Sequence, residues 1–319
     1  MDPDARLPDA QFPNARLPDA QTVWRPAFPV DVRRTLAPLS RGRGDPTYQV
    51  GLDGSVWRTT LMATGPASYR LAQRGLQDIS CDAWGPGAAE LVGGLPDLLG
   101  GPTRDADFAL DHPLLERTSR IHPGLRIPRT GRVFEALVPA VLEQKVTGRE
   151  ARDSFRRLLQ AYGTAAPGPV PDGMRVPPPA EVWRRIPSWG WHRAGVDPKR
   201  ARTILAAAQV APRLEETVAM AAVAASARLQ LVPGIGVWTA AEIAQRALGD
   251  GDALSVGDFH LSAFVGWALL GRPLDDDAMV ALLQRWQPHR YRVVRLLEIS
   301  GAGKPRFGPR STITDHRSV

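Results

Sequence analysis

The chain has 319 residues, of which 40 are Lys or Arg and 33 are Asp or Glu, so its formal net charge at pH 7 is +7. This length fits one large domain or two of ordinary size, and a hydrophobic content of 43% is enough for a buried core, which excludes a wholly disordered chain. The single cysteine, Cys81, excludes an internal disulfide, a cysteine-based zinc site and a four-cysteine iron–sulfur cluster.

The N-terminal third is predicted to hold a tail and a small domain. Residues 5–11 recur as residues 15–21, but two copies are too few for a repeat architecture and the prolines oppose a helix, so residues 1–21 are predicted to be a disordered tail. Strand-like runs at 56–62 and 67–71 lie between Gly- and Pro-containing turns. They predict a small β-rich, α+β domain over residues 22–110.

The pattern changes to helical periodicity after about residue 110. Apolar residues recur at spacings of three and four, and a Gly- and Pro-rich loop interrupts them at 163–179. The predicted helices cover 134–142, 150–162, 180–187, 198–210, 215–231, 238–248, 259–270, 276–285 and 290–299. The protein is therefore predicted to be mainly α, with an all-α domain of about eight helices over residues 111–300 and a flexible basic tail over 301–319.

The basic residues are unusual in kind and uneven in position. The only lysines are Lys145, Lys199 and Lys304, so 37 of the 40 basic residues are arginines. Residues 112–205 contain 17 basic and 8 acidic side chains and therefore hold the excess positive charge. A basic stretch in a folded domain suggests a polyanion partner, although a solvated arginine surface has the same composition.

The sharpest local signal is the segment Pro233-Gly234-Ile235-Gly236, which separates two predicted helices. The glycines permit backbone turns and a close approach of the main chain to a ligand. The helix predicted directly after it has unpaired N–H groups and a partial positive charge at its start, so Val237 and Thr239 are candidate DNA contacts. This segment predicts a phosphate-binding site that needs no basic side chain. The alternative is a tight helix–helix turn.

Asp258 is the second signal, 22 residues after Gly236 and directly before a predicted helix. An aspartate in this position most often caps the helix. A carboxylate one helix away from a phosphate-binding turn can also face the sugar of a bound strand, where it stabilises positive charge that develops at C1′. The two roles can coexist in one residue.

The turn, the helix after it and Asp258 resemble the helix-hairpin-helix DNA glycosylase superfamily, and within it the 3-methyladenine DNA glycosylase II branch. Residues 134–146 and 285–290 are similar to other parts of that branch, so the resemblance covers about residues 112–300. It implies a monofunctional enzyme, with Asp258 as its catalytic residue, that flips a damaged base out of double-stranded DNA and hydrolyses its N-glycosidic bond. Alkylated purines are the expected substrates.

Two other functions remain open on the same fold. One is a protein that binds lesions in DNA without catalysis. The other is a glycosylase for oxidised or deaminated bases.

The resemblance also assigns residues to a base pocket. Trp238 matches a tryptophan that lines the pocket, although a core aromatic is the alternative, and it stands where the bifunctional relatives carry a lysine, so no lyase activity is expected. Phe259 is either a pocket wall or part of the core. Glu242 and Glu298 align with aromatic pocket residues of other members. Two carboxylates there imply a preference for cationic bases, a different substrate or a loss of activity.

Gln144 and Lys145 fall where the superfamily inserts a wedge residue into DNA. Lys145 is therefore expected to contact phosphate or bases, or else to be an exposed lysine at a helix end. Two histidines, His260 and His289, are more often structural than catalytic. The tryptophans near 183–191 are more often core residues than stacking platforms.

Location follows from what the sequence lacks. It contains no run of 18 or more apolar residues, so no membrane-spanning helix is predicted. The acidic, proline-rich N-terminus has no apolar segment of the signal-peptide kind. We therefore expect a cytoplasmic monomer that works on DNA in the nucleoid, with no metal ion or other cofactor.

Overall fold

The computed structural model describes residues 16–101 and 108–303. The N-terminal unit is a five-stranded antiparallel sheet with strand order β1-β5-β4-β3-β2. Its elements are β1 (Ala20–Trp24), α1 (Val32–Leu36), β2 (Tyr48–Val50), β3 (Val56–Met62), β4 (Gly65–Arg74), β5 (Asp78–Trp84), α2 (Ala88–Gly93) and α3 (Leu95–Leu98). The strands predicted at 56–62 and 67–71 are confirmed as β3 and the centre of β4.

The first strand corrects the predicted boundary of the N-terminal tail. Strand β1 begins at Ala20, and the Asp19 N–H donates to the Ala83 carbonyl at 2.9 Å. The Trp84 indole donates to the Arg16 carbonyl at 3.0 Å. Residues 19–21 therefore pair with β5 through their backbone and Arg16 is held by the Trp84 side chain, which the repeated sequence did not indicate. Residues 1–15 lie outside the described part of the chain.

The helical unit contains more and shorter helices than the periodicity predicted. They are α4 (Pro113–Ile121), α5 (Val133–Leu142), α6 (Gly148–Tyr162), α7 (Ala180–Arg184), α8 (Ser188–Ala194), α9 (Pro198–Gln209), α10 (Ala211–Glu215), α11 (Ala222–Gln230), α12 (Val237–Ile243), α13 (Leu261–Leu270), α14 (Asp276–Leu283) and α15 (Arg290–Ile299). Helix α12 continues as a π-helical turn over Ala244–Leu248. The mainly α architecture is as predicted.

The prediction of an all-α domain is wrong in one place. Within the loop 163–179, strands β6 (Thr164–Ala165) and β7 (Arg175–Val176) form a two-stranded ladder. The Arg175 N–H donates to the Pro46 carbonyl at 2.7 Å, and the Thr59 hydroxyl donates to the Arg175 carbonyl at 2.5 Å. The ladder forms because the N-terminal unit supplies these partners, which lie more than 100 residues away.

Two hydrophobic cores divide the helical unit into lobes. The first core is built from helices α5 to α12 and contains Trp183 and Trp191, which are 1% and 3% exposed. The second is built from α4, α13, α14 and α15, with Val265 and Met279 fully buried. Trp183 and Trp191 are thus core residues, whereas Trp189 is 63% exposed. The chain crosses between the lobes after α12, and the candidate site lies at that crossing.

None of the helices among the described residues has the length and apolar character that a membrane span requires. The single cysteine is buried in the sheet, and burial raises the pKa of the Cys81 thiol to about 12.

Candidate active site

The turn between α11 and α12 contains two glycines in different situations. Gly234 has a φ of +92°, and a Cβ added to it would lie 2.1 Å from Thr203 Oγ1. Gly236 has an extended backbone with a φ of −102°, and a Cβ added there would meet no atom within 4 Å. The fold therefore requires glycine at 234 for its own packing. At Gly236 the surface is open, which is the condition for a ligand to approach the main chain.

Gln144, two residues after the end of α5, hydrogen-bonds to this turn. Its side-chain amide donates to the Gly234 carbonyl at 2.9 Å and to Thr239 Oγ1 at 2.8 Å. Thr239 is only 2% exposed, so its hydroxyl serves this internal contact, whereas Val237 at the start of α12 is 55% exposed. Exposed Lys145 follows with a φ of +55°. The structure thus brings Gln144, Lys145 and the turn together.

Replacing Gln144 with alanine is expected to lower the free energy of unfolding by about 1–2 kcal/mol, because two hydrogen bonds to the turn are lost. The turn loses its attachment, so DNA affinity should also fall. Thermal denaturation and a DNA-binding titration measure the two effects. Gln230→Ala is the matched control, since that amide bonds to Ser226 one helical turn away on the same helix. Equal behaviour of the two variants would contradict the proposed link.

Asp258 is held by three hydrogen bonds. Its Oδ1 accepts from the backbone N–H groups of His260, at 2.8 Å, and Leu261, at 3.0 Å. Its Oδ2 accepts from the Trp238 indole at 3.2 Å. The carboxylate therefore caps the start of α13, as an aspartate in this position commonly does, and also contacts the first turn of α12. Half-buried Asp258 is thus fixed between the two lobes.

A cavity of about 270 Å³ lies against this aspartate. Residues from both lobes line it, among them Asp258, His260, Glu242, Arg246, Arg295 and Glu298. The structure therefore brings both predicted glutamates together with Asp258. Neither Trp238 nor Phe259 is part of the lining.

Phe259 and Trp238 were both predicted to line the base pocket, and both lie outside the lining of this cavity. The Phe259 side chain is 88% exposed and packs edge-on against His260 with ring centroids 4.8 Å apart, so it is neither a wall of this cavity nor a core residue. Half-buried Trp238 contacts the site through its bond to Asp258.

Each glutamate in the cavity is paired with an arginine on its own helical segment. Glu242 Oε2 lies 2.8 Å from Arg246 Nη1, and Glu242 also accepts a hydrogen bond from the Ser255 hydroxyl. Burial lowers the pKa of Arg246, but Glu242, Tyr291 and Glu143 together outweigh burial, so the pKa is raised above its ordinary value. Glu298 is likewise paired with Arg295. The pocket is therefore polar without a simple excess of negative charge.

Sequence reasoning missed these arginines and Tyr291, which is buried beside them. Burial raises the pKa of Tyr291 to about 12, so its phenol is neutral near pH 7 and can donate a hydrogen bond. The available signal was spacing. Arg246 follows Glu242 by four residues and Arg295 precedes Glu298 by three, which are the spacings of side-chain pairs on one helix face.

The other candidate histidine, His289, is not part of the cavity lining. His289 packs against Phe108 with ring centroids 4.8 Å apart. Across residues 16–101 and 108–303, no cluster of three or more His, Cys, Asp or Glu side chains is arranged to hold a metal ion.

Solved structures that share this architecture include DNA glycosylases. The chain aligns with 3-methyladenine DNA glycosylase from Archaeoglobus fulgidus with a TM-score of 0.72 and 15% identity, over 88% of this chain and 98% of the other. It aligns with the apo form of Clostridium acetobutylicum 8-oxoguanine glycosylase/lyase with a TM-score of 0.67 and 12% identity, over 87% of this chain and 95% of the other. At these low identities the likenesses show a shared fold.

Sequence similarity points to the same class. No protein-family model matches the chain. Two curated relatives from strains of Mycobacterium tuberculosis, each named probable bifunctional transcriptional activator/DNA repair enzyme AlkA, are 34% identical over 177 residues. The match covers 53% of this chain and 33% of each relative, so it spans about a third of their length. About half of this chain is therefore similar in sequence to these AlkA relatives, and the chain shares its fold with solved DNA glycosylases.

Proposed function

We propose that the protein is a monofunctional DNA glycosylase that excises alkylated purine bases from double-stranded DNA and acts as a monomer. One observation carries the proposal. The Asp258 carboxylate lies against a cavity of about 270 Å³ and is bonded to the first turn of the helix that follows the Gly234–Gly236 turn. A phosphate-binding turn, a carboxylate and a cavity are the three parts that base excision from a flipped nucleotide requires.

The mechanism follows from these positions. The N–H groups at the start of α12 bind a backbone phosphate, and the open surface at Gly236 lets it approach. The damaged nucleotide enters the cavity with its sugar towards Asp258. The C1′–N bond breaks with its electron pair going to the base, while the carboxylate stabilises the positive charge on the sugar. Water then adds to C1′ and releases a proton.

Alkylated purines suit a site with this composition. A purine alkylated on a ring nitrogen already carries positive charge, so it leaves as a neutral base without a proton from the protein. The pocket needs no strong general acid, and the neutral Tyr291 phenol can donate a hydrogen bond to the base. The Glu242–Arg246 and Glu298–Arg295 pairs provide acceptors and donors for the rest of its edge.

Hydrolysis without strand cleavage is the expected outcome. Trp238 stands where a Schiff-base lysine would have to be, and Lys145 and Lys199 are exposed outside the cavity lining. Lys304 lies outside the described residues. Damaged duplex treated with the protein should therefore keep both strands intact until alkali cleaves the abasic sites, as seen on a denaturing gel. Strand breaks before alkali would contradict the monofunctional assignment.

A glycosylase for oxidised or deaminated bases is the second candidate. It is favoured by the polar wall of the cavity, where ion pairs replace the aromatic residues expected from the resemblance. Such a wall can read the hydrogen-bonding edge of a neutral base. A lesion-binding protein without catalysis would use the same DNA surface.

Mass spectrometry of released bases tests these functions together. The purified protein is incubated with methylated, oxidised and uracil-containing duplexes in parallel. We expect 3-methyladenine or 7-methylguanine from the methylated duplex. Release of an oxidised base or uracil alone would establish the second candidate, and no release from any duplex, with binding retained, would establish the lesion-binding protein.

A further inference from the structure

Phe259 is an exposed aromatic residue at the rim of the candidate active site. Asp258 and His260 both line the cavity, whereas Phe259 between them is 88% exposed and does not. Its side chain therefore points into solvent at the edge of the cavity. An aromatic ring exposed beside a cavity that takes a flipped nucleotide is in a position to stack on a neighbouring base.

The segment that carries Phe259 is held in one conformation. Asp258 Oδ1 binds the N–H groups of His260 and Leu261, which fixes the turn into α13. The Phe259 ring then meets the His260 ring at an interplanar angle of 78°. This edge contact orients the ring while most of its surface stays in water. The preorganised ring is suited to stacking on a flat partner, because little conformational entropy is lost on contact.

We propose that Phe259 is a DNA-stacking residue, whose ring packs on a base next to the nucleotide that enters the cavity. The inference rests on the proposed function, since the nucleotides flanking a flipped one must pass this rim. Flipping removes a stacking partner from each neighbouring base, and an aromatic side chain replaces one of them without regard to sequence. Phe259 is thus a positioning residue. It stabilises the flipped state and does not touch the reacting atoms.

The experiment uses the full chain and a duplex with a stable abasic analogue flanked by 2-aminopurine. Phe259→Ala is expected to weaken binding by about 5- to 150-fold, the range for loss of one base–aromatic stack. It should also leave 2-aminopurine brighter in the complex, because stacking quenches that fluorophore. Phe259→Tyr and Phe259→Trp should restore both readouts. Leu52→Ala, an exposed apolar residue in the turn between β2 and β3, is the matched control and should change neither.

The outcomes separate this inference from the proposed function. Wild-type protein that fails to bind the duplex would overturn the proposed function. Wild-type protein that binds, with Phe259→Ala equal to it in affinity and fluorescence, would overturn the stacking role alone. Analytical ultracentrifugation tests whether a second copy of this chain covers the Phe259 ring instead of DNA. A wild-type dimer that Phe259→Ala converts to monomers would show that a second copy covers the ring, which also overturns the inference.

Discussion

Asp258→Asn is expected to reduce base release from methylated DNA by at least about 100-fold, while DNA affinity changes by less than about threefold. The magnitude is that of losing one preorganised electrostatic contact to a developing charge. Asparagine removes the negative charge that stabilises the sugar cation. It keeps nearly the same volume, so the cavity of about 270 Å³ stays open. Single-turnover base release and a binding titration measure the two quantities.

The hydrogen bonds around Asp258 determine what asparagine can preserve. The side-chain oxygen can still accept from the N–H groups of His260 and Leu261, so the start of α13 stays capped. The side-chain amide then faces the Trp238 indole, and two donors cannot bond to each other. Trp238→Phe loses the same hydrogen bond to residue 258 but keeps the carboxylate. We expect this variant to retain much more activity than Asp258→Asn, which isolates the role of the charge.

A cap elsewhere in the same lobe provides the matched control. Asp275 begins α14, and its carboxylate accepts from the Ala278 N–H at 2.9 Å. Asp275→Asn changes a capping carboxylate in the same way but outside the cavity lining, so it should alter stability by at most about 1 kcal/mol and leave base release unchanged. If Asp258→Asn behaves like Asp275→Asn, Asp258 is a helix cap without a catalytic role.

The regular elements were predictable from the sequence because their signals are local. The alternation and turn residues around 56–62 predicted β3, and helical periodicity predicted α5 and α6 to within a few residues. The turn between α11 and α12 and the position of Asp258 were also predictable, since Gly-x-Gly between helices and a polar residue before a helix are short-range patterns.

Contacts between distant segments could not be read in the same way. The strand β1 depends on pairing with β5, some 60 residues later, and the β6–β7 ladder depends on the Pro46 carbonyl and the Thr59 hydroxyl. The direction of the Phe259 side chain depends on the turn that the hydrogen bond from the His260 N–H to the Asp258 carboxylate fixes before α13. No periodicity records these contacts, because each one is set by tertiary packing.

The two glycines of the turn have different environments, so their substitutions are expected to have different effects. Gly236→Ala should leave the melting temperature unchanged or slightly higher, since its φ of −102° suits alanine and a Cβ would meet no protein atom within 4 Å. DNA affinity should nevertheless fall by at least about 10-fold, because the methyl group occupies the space through which a phosphate reaches the N–H groups of α12.

Gly234→Ala should show the opposite pattern. Its φ of +92° is unfavourable for alanine, and the new Cβ would lie 2.1 Å from Thr203 Oγ1, so we expect a loss of about 2–4 kcal/mol in the free energy of unfolding. Denaturant unfolding and DNA titration of both variants give four values. A stable Gly236→Ala protein that binds DNA like the wild type would rule out phosphate binding at this backbone. A Gly236→Ala protein as unstable as Gly234→Ala would show instead that both glycines serve the fold.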